Sequence, residues 1–463
     1  MNEIVEMLPC QSRSMLQRLG DVMQTRRSLI LSVQWLVVVF YLNLLICPVL
    51  LPLPKDYVPF YENLILFAQF IFWGIWWPFV ILSMILLGRV WCGVFCPEGA
   101  LSEWSSRYGL GRAIPRWMRW GGWPFVAFVL TTIYGQLVSV YEYPKAALLI
   151  LGGSTIAAMF VGFLYGRGKR VWCRHLCPAS GIFSLLSRLA PIHFRVDRDA
   201  WKQAPRRTAA VDCAPLINIR TMTGNSACHM CGRCSDHRNA VTLNTRPANA
   251  EILSIEKKDA NHWDIILLVF GMLGVATGAF QWSASPWFVS MKQSLTEWLI
   301  ERNVFWMLDD NAPWWLLTHY PKTNDVFSWL DGASILLYIG ATTFSIGGLV
   351  FTGLWLAARI LKDAGFIHWQ LGYALTPLAG LSIFLGLTTL TLSILKAEHI
   401  TLIYIPELRI GLLFLAYIWS AYLLWRMLIK IKMSRWRQLG AWSAIMISSS
   451  LVGLSWIMMF FLW

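Results

Sequence analysis

The feature that most limits what this chain can fold into is a long apolar run, eighteen residues or more, that keeps returning along it. An α-helix rises 1.5 Å per residue, so about twenty such residues cross the roughly 30 Å hydrocarbon core of a bilayer. We read nine spans: residues 28–50, 63–88, 121–141, 146–166, 264–283, 333–358, 368–395, 409–428 and 439–462. Their apolar residues are continuous rather than alternating, and lipid offers no partner to open backbone groups, so the spans are helices and not barrel strands. Only 14% of the 463 residues are charged, against about a quarter in an ordinary soluble chain. The sequence therefore predicts an all-α polytopic membrane protein with about nine transmembrane helices.

Lysine and arginine placement orients those helices. Alternate connections, 1–27, 89–120, 167–263, 359–367 and 429–438 together with Arg426, hold 32 of the 39 basic residues. The other side holds Lys55, Lys145, Lys292, Arg302, Lys322, Lys396 and Arg409. The expectation is a multi-pass protein of a bacterial inner membrane, N-terminus cytoplasmic and C-terminus extracytoplasmic. The net charge of +14 then reflects topology and anionic headgroups, and needs no nucleic-acid partner. The stretch "MQTRRSLILSV" has the look of a twin-arginine export signal. The apolar run after it exceeds twenty residues with no small-residue cleavage site, so Arg26 and Arg27 read as inner anchors of an uncleaved helix.

Four zones follow from this pattern. Residues 1–27 form a cytoplasmic tail, 28–190 two transmembrane hairpins, 191–263 a small cysteine-rich cytoplasmic segment, and 264–463 a five-helix region with an outer loop at 284–332. In that loop Phe288, Met291, Leu295, Trp298 and Leu299 fall at helical spacing, with Lys292, Glu297 and Glu301 off the stripe. This predicts an amphipathic helix lying in the outer interface; a docking surface for an extracytoplasmic partner is the alternative.

Each hairpin returns inward at the same motif, "RVWCGVFCP" at 89–97 and "RVWCRHLCP" at 170–178. This internal repeat matches Cys92 and Cys96 with Cys173 and Cys177. A spacing of i, i+4 sets both sulfurs on one helical face, and the following proline stops ordinary helix from continuing. Downstream, Cys228, Cys231 and Cys234 form C-x-x-C-x-x-C, the first three ligands of a ferredoxin-type [4Fe–4S] run. Arg238 stands where the fourth cysteine would fall, and Cys213 is the first candidate to replace it. Eight of the ten cysteines thus lie within 92–234, on the reducing side, where clustered cysteines bind metal more often than they form disulfides. They divide most simply into two [4Fe–4S] clusters, with a single cluster as the smaller alternative. The partition stays open, because two-cluster ferredoxins exchange the cysteine before proline, so Cys96 or Cys177 could serve the other cluster.

The charge pattern agrees. A four-thiolate [4Fe–4S] cluster carries a net charge of about −2, costly near lipid unless offset. Arg89, Lys169, Arg170 and Arg174 lie within four residues of the motif cysteines, and Arg233 sits inside the third motif; the same residues also serve as positive-inside anchors. Zinc is the competing metal, with His175, His229 and His237 nearby, but a C-x-x-C-x-x-C triple is the iron–sulfur pattern rather than the zinc one. Cys47 reads as packing within the first span, Cys10 has no assignable role, and Trp91 and Trp172 read as headgroup anchors.

Paired C-x-x-x-C-P motifs at the inner ends of membrane helices, followed by a cytoplasmic iron–sulfur segment, resemble the NapH/NosR-type membrane-bound polyferredoxins. The resemblance runs over roughly residues 28–240 and rests on Cys92–Pro97, Cys173–Pro178 and Cys228–Cys234. It implies an electron-transfer subunit of an oxidoreductase system, passing electrons between a cytoplasmic or quinol donor and an extracytoplasmic redox partner. The chain departs from the pattern in having one incomplete ferredoxin motif instead of two, and the five C-terminal spans lie outside the match. Two rival readings share the cysteines: a reductase for maturing a copper or haem enzyme, and a non-redox cysteine-rich metal-binding protein. No catalytic residue is assigned, and no glycine-rich dinucleotide fingerprint is present. Haem would want histidines at facing depths, whereas His368 begins a span on the inner side and His399 follows the outer end of the same span. His319 and His399, both outside, are a weaker pairing, which leaves haem and quinone open as transmembrane carriers.

Overall fold

The computed structural model describes residues 14–54, 58–204, 208, 210–362, 367–400 and 402–463; Cys10 and Lys55 lie outside them. Among the described residues, eight helices are long and apolar enough to cross a membrane: Arg27–Leu50, Leu64–Leu87, Pro144–Tyr165, His262–Ala284, Trp329–Ile360, Ile367–Ala397, Ile405–Ile429 and Arg435–Phe461. The chain is a multi-pass membrane protein. Local chemistry starts these helices where expected. The Asn63 side chain accepts from the Ile65 and Leu66 amides, Asn261 caps His262, and Ser328 and Asp331 form a reciprocal capping box.

The remaining expected span, 121–141, comes out as a helix of 15 residues, Trp123–Leu137, about 22 Å long at 1.5 Å per residue. Gly121 and Gly122 delay its start, and a turn through Ser139 at φ 49 ends it early. It still joins the two ends of the molecule. Trp120 packs on Trp263 at 4.9 Å at the start of the fourth long helix, and Leu137 accepts from the Thr318 amide at 2.8 Å in the loop at the other end.

The fourth long helix, His262–Ala284, is the hub, with Leu267, Leu268, Met272 and Leu273 wholly buried. Small residues allow close helix contact, as membrane packing requires. A Cβ at Gly353 would stand 2.8 Å from the Ala444 carbonyl oxygen of the last span. In the loop 284–332, Pro286–Glu301 is the expected helix, and it buries Phe288 and Leu299. Trp298 is 48% exposed, and the Arg302 guanidinium lies over its ring.

The cysteine-rich segment is closed by two antiparallel strands, Ile192–Val196 and Val241–Thr245, with Phe194 opposite Leu243. Phe194, Ile219, Met230, Val241 and Leu243 make its small core around Cys228. A helix in the N-terminal tail, Met15–Thr25, lies against it: a Cβ at Gly20 would stand 3.1 Å from Leu243 Cβ. That contact was not legible in the tail's sequence.

Candidate functional site

The second long helix stops at Gly88, whose φ of 69 is a conformation glycine adopts without strain. Arg89 then turns inward and is 3% exposed. It donates to the Ser226 carbonyl at 2.8 Å and to the Ser180 hydroxyl at 3.0 Å, and Ser180 donates on to the Cys173 carbonyl at 2.8 Å. One guanidinium thus ties both repeats to the third cysteine segment. Cys92 sits in a π-helical turn, Trp91–Phe95. Cys96 leaves helical geometry at φ −68, ψ 115 and caps the helix Pro97–Arg107, its sulfur accepting from the Gly99 amide at 3.4 Å. In the second copy Cys173 lies on the short helix Val171–His175, and Cys177 follows it.

The four repeat cysteines come together. Cys96 and Cys177 each lie close enough to Cys92 and Cys173 for their charges to repel. Burial pushes the Cys96 and Cys177 thiols well up and Cys173 to about 12. A second group forms around a small cavity lined by Cys213, Cys228, Cys231 and Cys234. There burial raises the Cys213 and Cys234 thiols and takes Cys228 to about 12. Arg238 turns elsewhere, its guanidinium over the Trp201 ring at 5.3 Å.

The two groups are neighbours. A Cβ on Gly93, between Cys92 and Cys96, would stand 2.0 Å from the His229 carbonyl oxygen and 3.0 Å from Cys231 Cα. Gln34 of the first span donates to the Gly93 carbonyl at 2.8 Å. Arg170, 1% exposed, donates to the Cys92 carbonyl and, at 2.8 Å, to Glu103, and its charge reaches both Cys173 and Cys231. Glu103 also accepts from Arg233 beside Cys234. Burial alone would raise the Glu103 carboxyl; Arg170 and Arg233 overcome it and hold the group below its ordinary range.

These residues fit an anionic, thiolate-bound group. Buried protonated thiols lose their protons to a metal, and buried guanidinium groups offset the negative charge that results. Arg89 Nε and Arg170 Nη2 are buried donors without a protein partner. Among the described residues, no three His, Cys, Asp or Glu side chains stand close enough to share one ion. A cubane makes a wider demand, since each thiolate binds a different iron.

Sequence reasoning missed Glu103, Gln34 and the contact role of Gly93. The signal available for Glu103 was its being one of two carboxylates, with Glu98, in the otherwise basic connection 89–120. Trp91 is a packed wall residue and not a headgroup anchor. Trp91 is 9% exposed and packs on Trp76 at 5.1 Å, and Trp172 donates to Glu98 at 3.4 Å. His368 is buried against Phe351 and Trp369. The cavity that His319 lines does not include His399.

The fold and site define a multi-pass membrane protein with two neighbouring four-cysteine groups at one end. A family model described as "4Fe-4S binding domain" matches the chain twice, over residues 69–121 and 149–197, one match for each repeat. The chain is also 23% identical over 234 residues to "Putative electron transport protein YccM" of Escherichia coli (strain K12). That alignment takes in 43% of this chain and 62% of the relative's length. No solved structure matches significantly. Together these findings support an iron–sulfur electron-transport family.

Proposed function

We propose that this is a membrane-bound iron–sulfur electron-transfer protein of the NapH/NosR type. Cys92, Cys96, Cys173 and Cys177 hold one [4Fe–4S] cluster, and Cys213, Cys228, Cys231 and Cys234 hold a second. The observation that carries the reading is the gathering of eight cysteines, buried or half-buried, into two adjoining groups flanked by Arg89, Arg170 and Arg233. When bound, such clusters exchange single electrons. The chain's own part is to supply the thiolates, to offset their charge with guanidinium groups, and to keep water away by burial. Electrons pass between a cytoplasmic or quinol donor and an extracytoplasmic partner. The cysteine end faces the cytoplasm, as the basic residues gathered there favour.

Anaerobic purification followed by iron and acid-labile sulfide analysis tests this reading. About eight of each per chain are expected for two clusters. Four of each would overturn the two-cluster partition, and zinc without sulfide would overturn the redox function.

A further inference from the structure

At the end of the molecule away from the cysteines, a cavity opens where two long helices reach the membrane surface. The first, Arg27–Leu50, stops there, and the third, Pro144–Tyr165, starts there, which sets the cavity at headgroup depth. Its volume is about 360 Å³. Val49, Leu51 and Leu53 line an apolar side, and Lys145, His319 and Lys322 line a polar one.

The polar side is assembled from segments that are fastened together. His319 and Tyr320 pair with Val326 and Asp325 in a two-stranded hairpin, and Lys322 lies in its turn. Tyr320 stacks on Tyr143 at 3.6 Å, and the Tyr143 hydroxyl donates to Asp325 at 2.6 Å. Just before the hairpin, the Thr318 amide donates to the Leu137 carbonyl at 2.8 Å. Two lysines distant in sequence are thereby held around one cavity.

Their charge is uncompensated. Among the described residues no carboxylate lines the cavity, and neither lysine enters an ion pair, whereas Lys292 at the same end pairs with Asp331. Asp325 has its carboxylate engaged by Tyr143. Basic residues are also few at this end, seven of the 39 in the chain. Topology asks for lysine at the other end, so two exposed ammonium groups around one cavity call for another cause.

We infer that this cavity binds a phosphate group, carried by an anionic lipid of the leaflet away from the cysteines, with Lys145 and Lys322 at the phosphate. Leu51 and Leu53 then lie along the glycerol and the first acyl carbons. Lysine meets phosphate as a point charge on a flexible stem, so it needs no fixed fork geometry. The apolar side is what favours a lipid, since a free phosphate ion gains nothing from leucines. Room is ample, because a cavity of about 150 Å³ already takes up benzene. The site is separate from the cysteine groups and stands independently of the electron-transfer reading.

The full chain, purified anaerobically and stripped of lipid in detergent, is titrated with phosphatidylglycerol or with phosphatidylcholine and followed by native mass spectrometry. One firmly retained phosphatidylglycerol per chain is expected, and weaker retention of phosphatidylcholine, whose ammonium the lysines repel. Lys145→Gln and Lys322→Gln should each weaken retention about fivefold, as about 1 kcal/mol per lysine at an anionic surface requires, and the double variant about 25-fold. Lys292→Gln removes an equal charge outside the cavity and should change nothing. Inorganic phosphate, titrated alone, separates the sources: phosphate bound once per chain and lost in the double variant, without retention of the lipid, supports the same two-lysine site with a free ion as its ligand. Retention unchanged in the double variant, or lowered as far by Lys292→Gln, overturns the inference. Equal retention of the two lipids, with no phosphate bound, overturns it as well.

Discussion

The two copies of R-V-W-C-x-x-x-C-P begin as the same nine-residue idea and are put to different uses. In the first, Arg89 reaches the Ser226 carbonyl and the Ser180 hydroxyl, so it fastens the third cysteine segment and the second repeat to the first. In the second, Arg170 is buried against Glu103, a residue that the first copy's own helix supplies. The position after the first cysteine differs as well. Gly93 lets the first copy lie directly on the His229–Cys231 backbone, whereas the second copy carries Arg174 there. The shared residues therefore supply the two cysteine pairs, and the unshared ones decide which copy meets the other cysteine group.

If the copies converge on one cluster, damaging either should have the same result. Cys92→Ser and Cys173→Ser are each expected to lose the same EPR signal from the reduced protein, together with about four of eight iron atoms. This is the largest effect. Different signals lost in the two variants would break the convergence.

Glu103 is where the copies are joined electrostatically, and its removal comes next. Its side chain is 5% exposed and pairs with Arg170, itself 1% exposed, and with Arg233. Taking one partner from a buried pair costs about 3–5 kcal/mol, because the charge left behind has no counterpart. Glu103→Gln should lower the denaturation midpoint of the purified protein, followed by loss of cluster absorbance, and should impair both groups alike. The pH dependence has a fixed sign. A carboxyl held below its ordinary value of 4.5 contributes fully above that pH, and its contribution is lost as pH falls through the folded-state value. Acid lability below about pH 4.5 should therefore be weaker in Glu103→Gln than in the wild type. Equal acid lability in the two would remove Glu103 from this role.

How much of this could be read beforehand follows from where the information sits. Helical spans are local: a long apolar run specifies one whatever its neighbours, and eight of nine emerged within four residues of the expected ends. The exception, Trp123–Leu137, was misjudged because hydropathy ignores the glycine pair and the Ser139 turn that trim it. The eight cysteines that the structure gathers into two groups stood out in the sequence because few residue types can serve as metal ligands. Their supports did not. Gln34 bonds a carbonyl 59 residues away and Glu103 an arginine 67 away, and no periodicity encodes such meetings. Trp91 was misread for the same reason, since a tryptophan at a helix end suits either a headgroup or a packed wall.

Gly93 sharpens the comparison further. Gly93→Ala would force a methyl into the His229 carbonyl oxygen, and backbone cannot step aside as a flexible side chain can. Overpacking of this kind costs about 1–3 kcal/mol, and iron content should fall in both groups. Arg174→Ala, at the matching position of the other copy, should leave the second group's iron intact. Loss of iron from that group in Arg174→Ala would mean the copies support it equally.

The smallest effect is expected where a ferredoxin pattern would predict the largest. Arg238 occupies the fourth ligand position of the C-x-x-C-x-x-C run, yet its guanidinium lies over Trp201 while Cys213 faces the shared cavity. The half-buried Arg238 also donates to the Trp201 carbonyl, and a cation–π contact is worth about 0.5–1 kcal/mol, so Arg238→Ala should lower the denaturation midpoint modestly and leave iron and sulfide unchanged. Cys213→Ser should remove the second cluster's EPR signal or broaden it into a three-iron form. The reverse outcome, with iron lost on changing Arg238 and retained on changing Cys213, would detach residue 213 from the site. It would also show that the run's own spacing, and not a cysteine from the preceding loop, selects the fourth ligand.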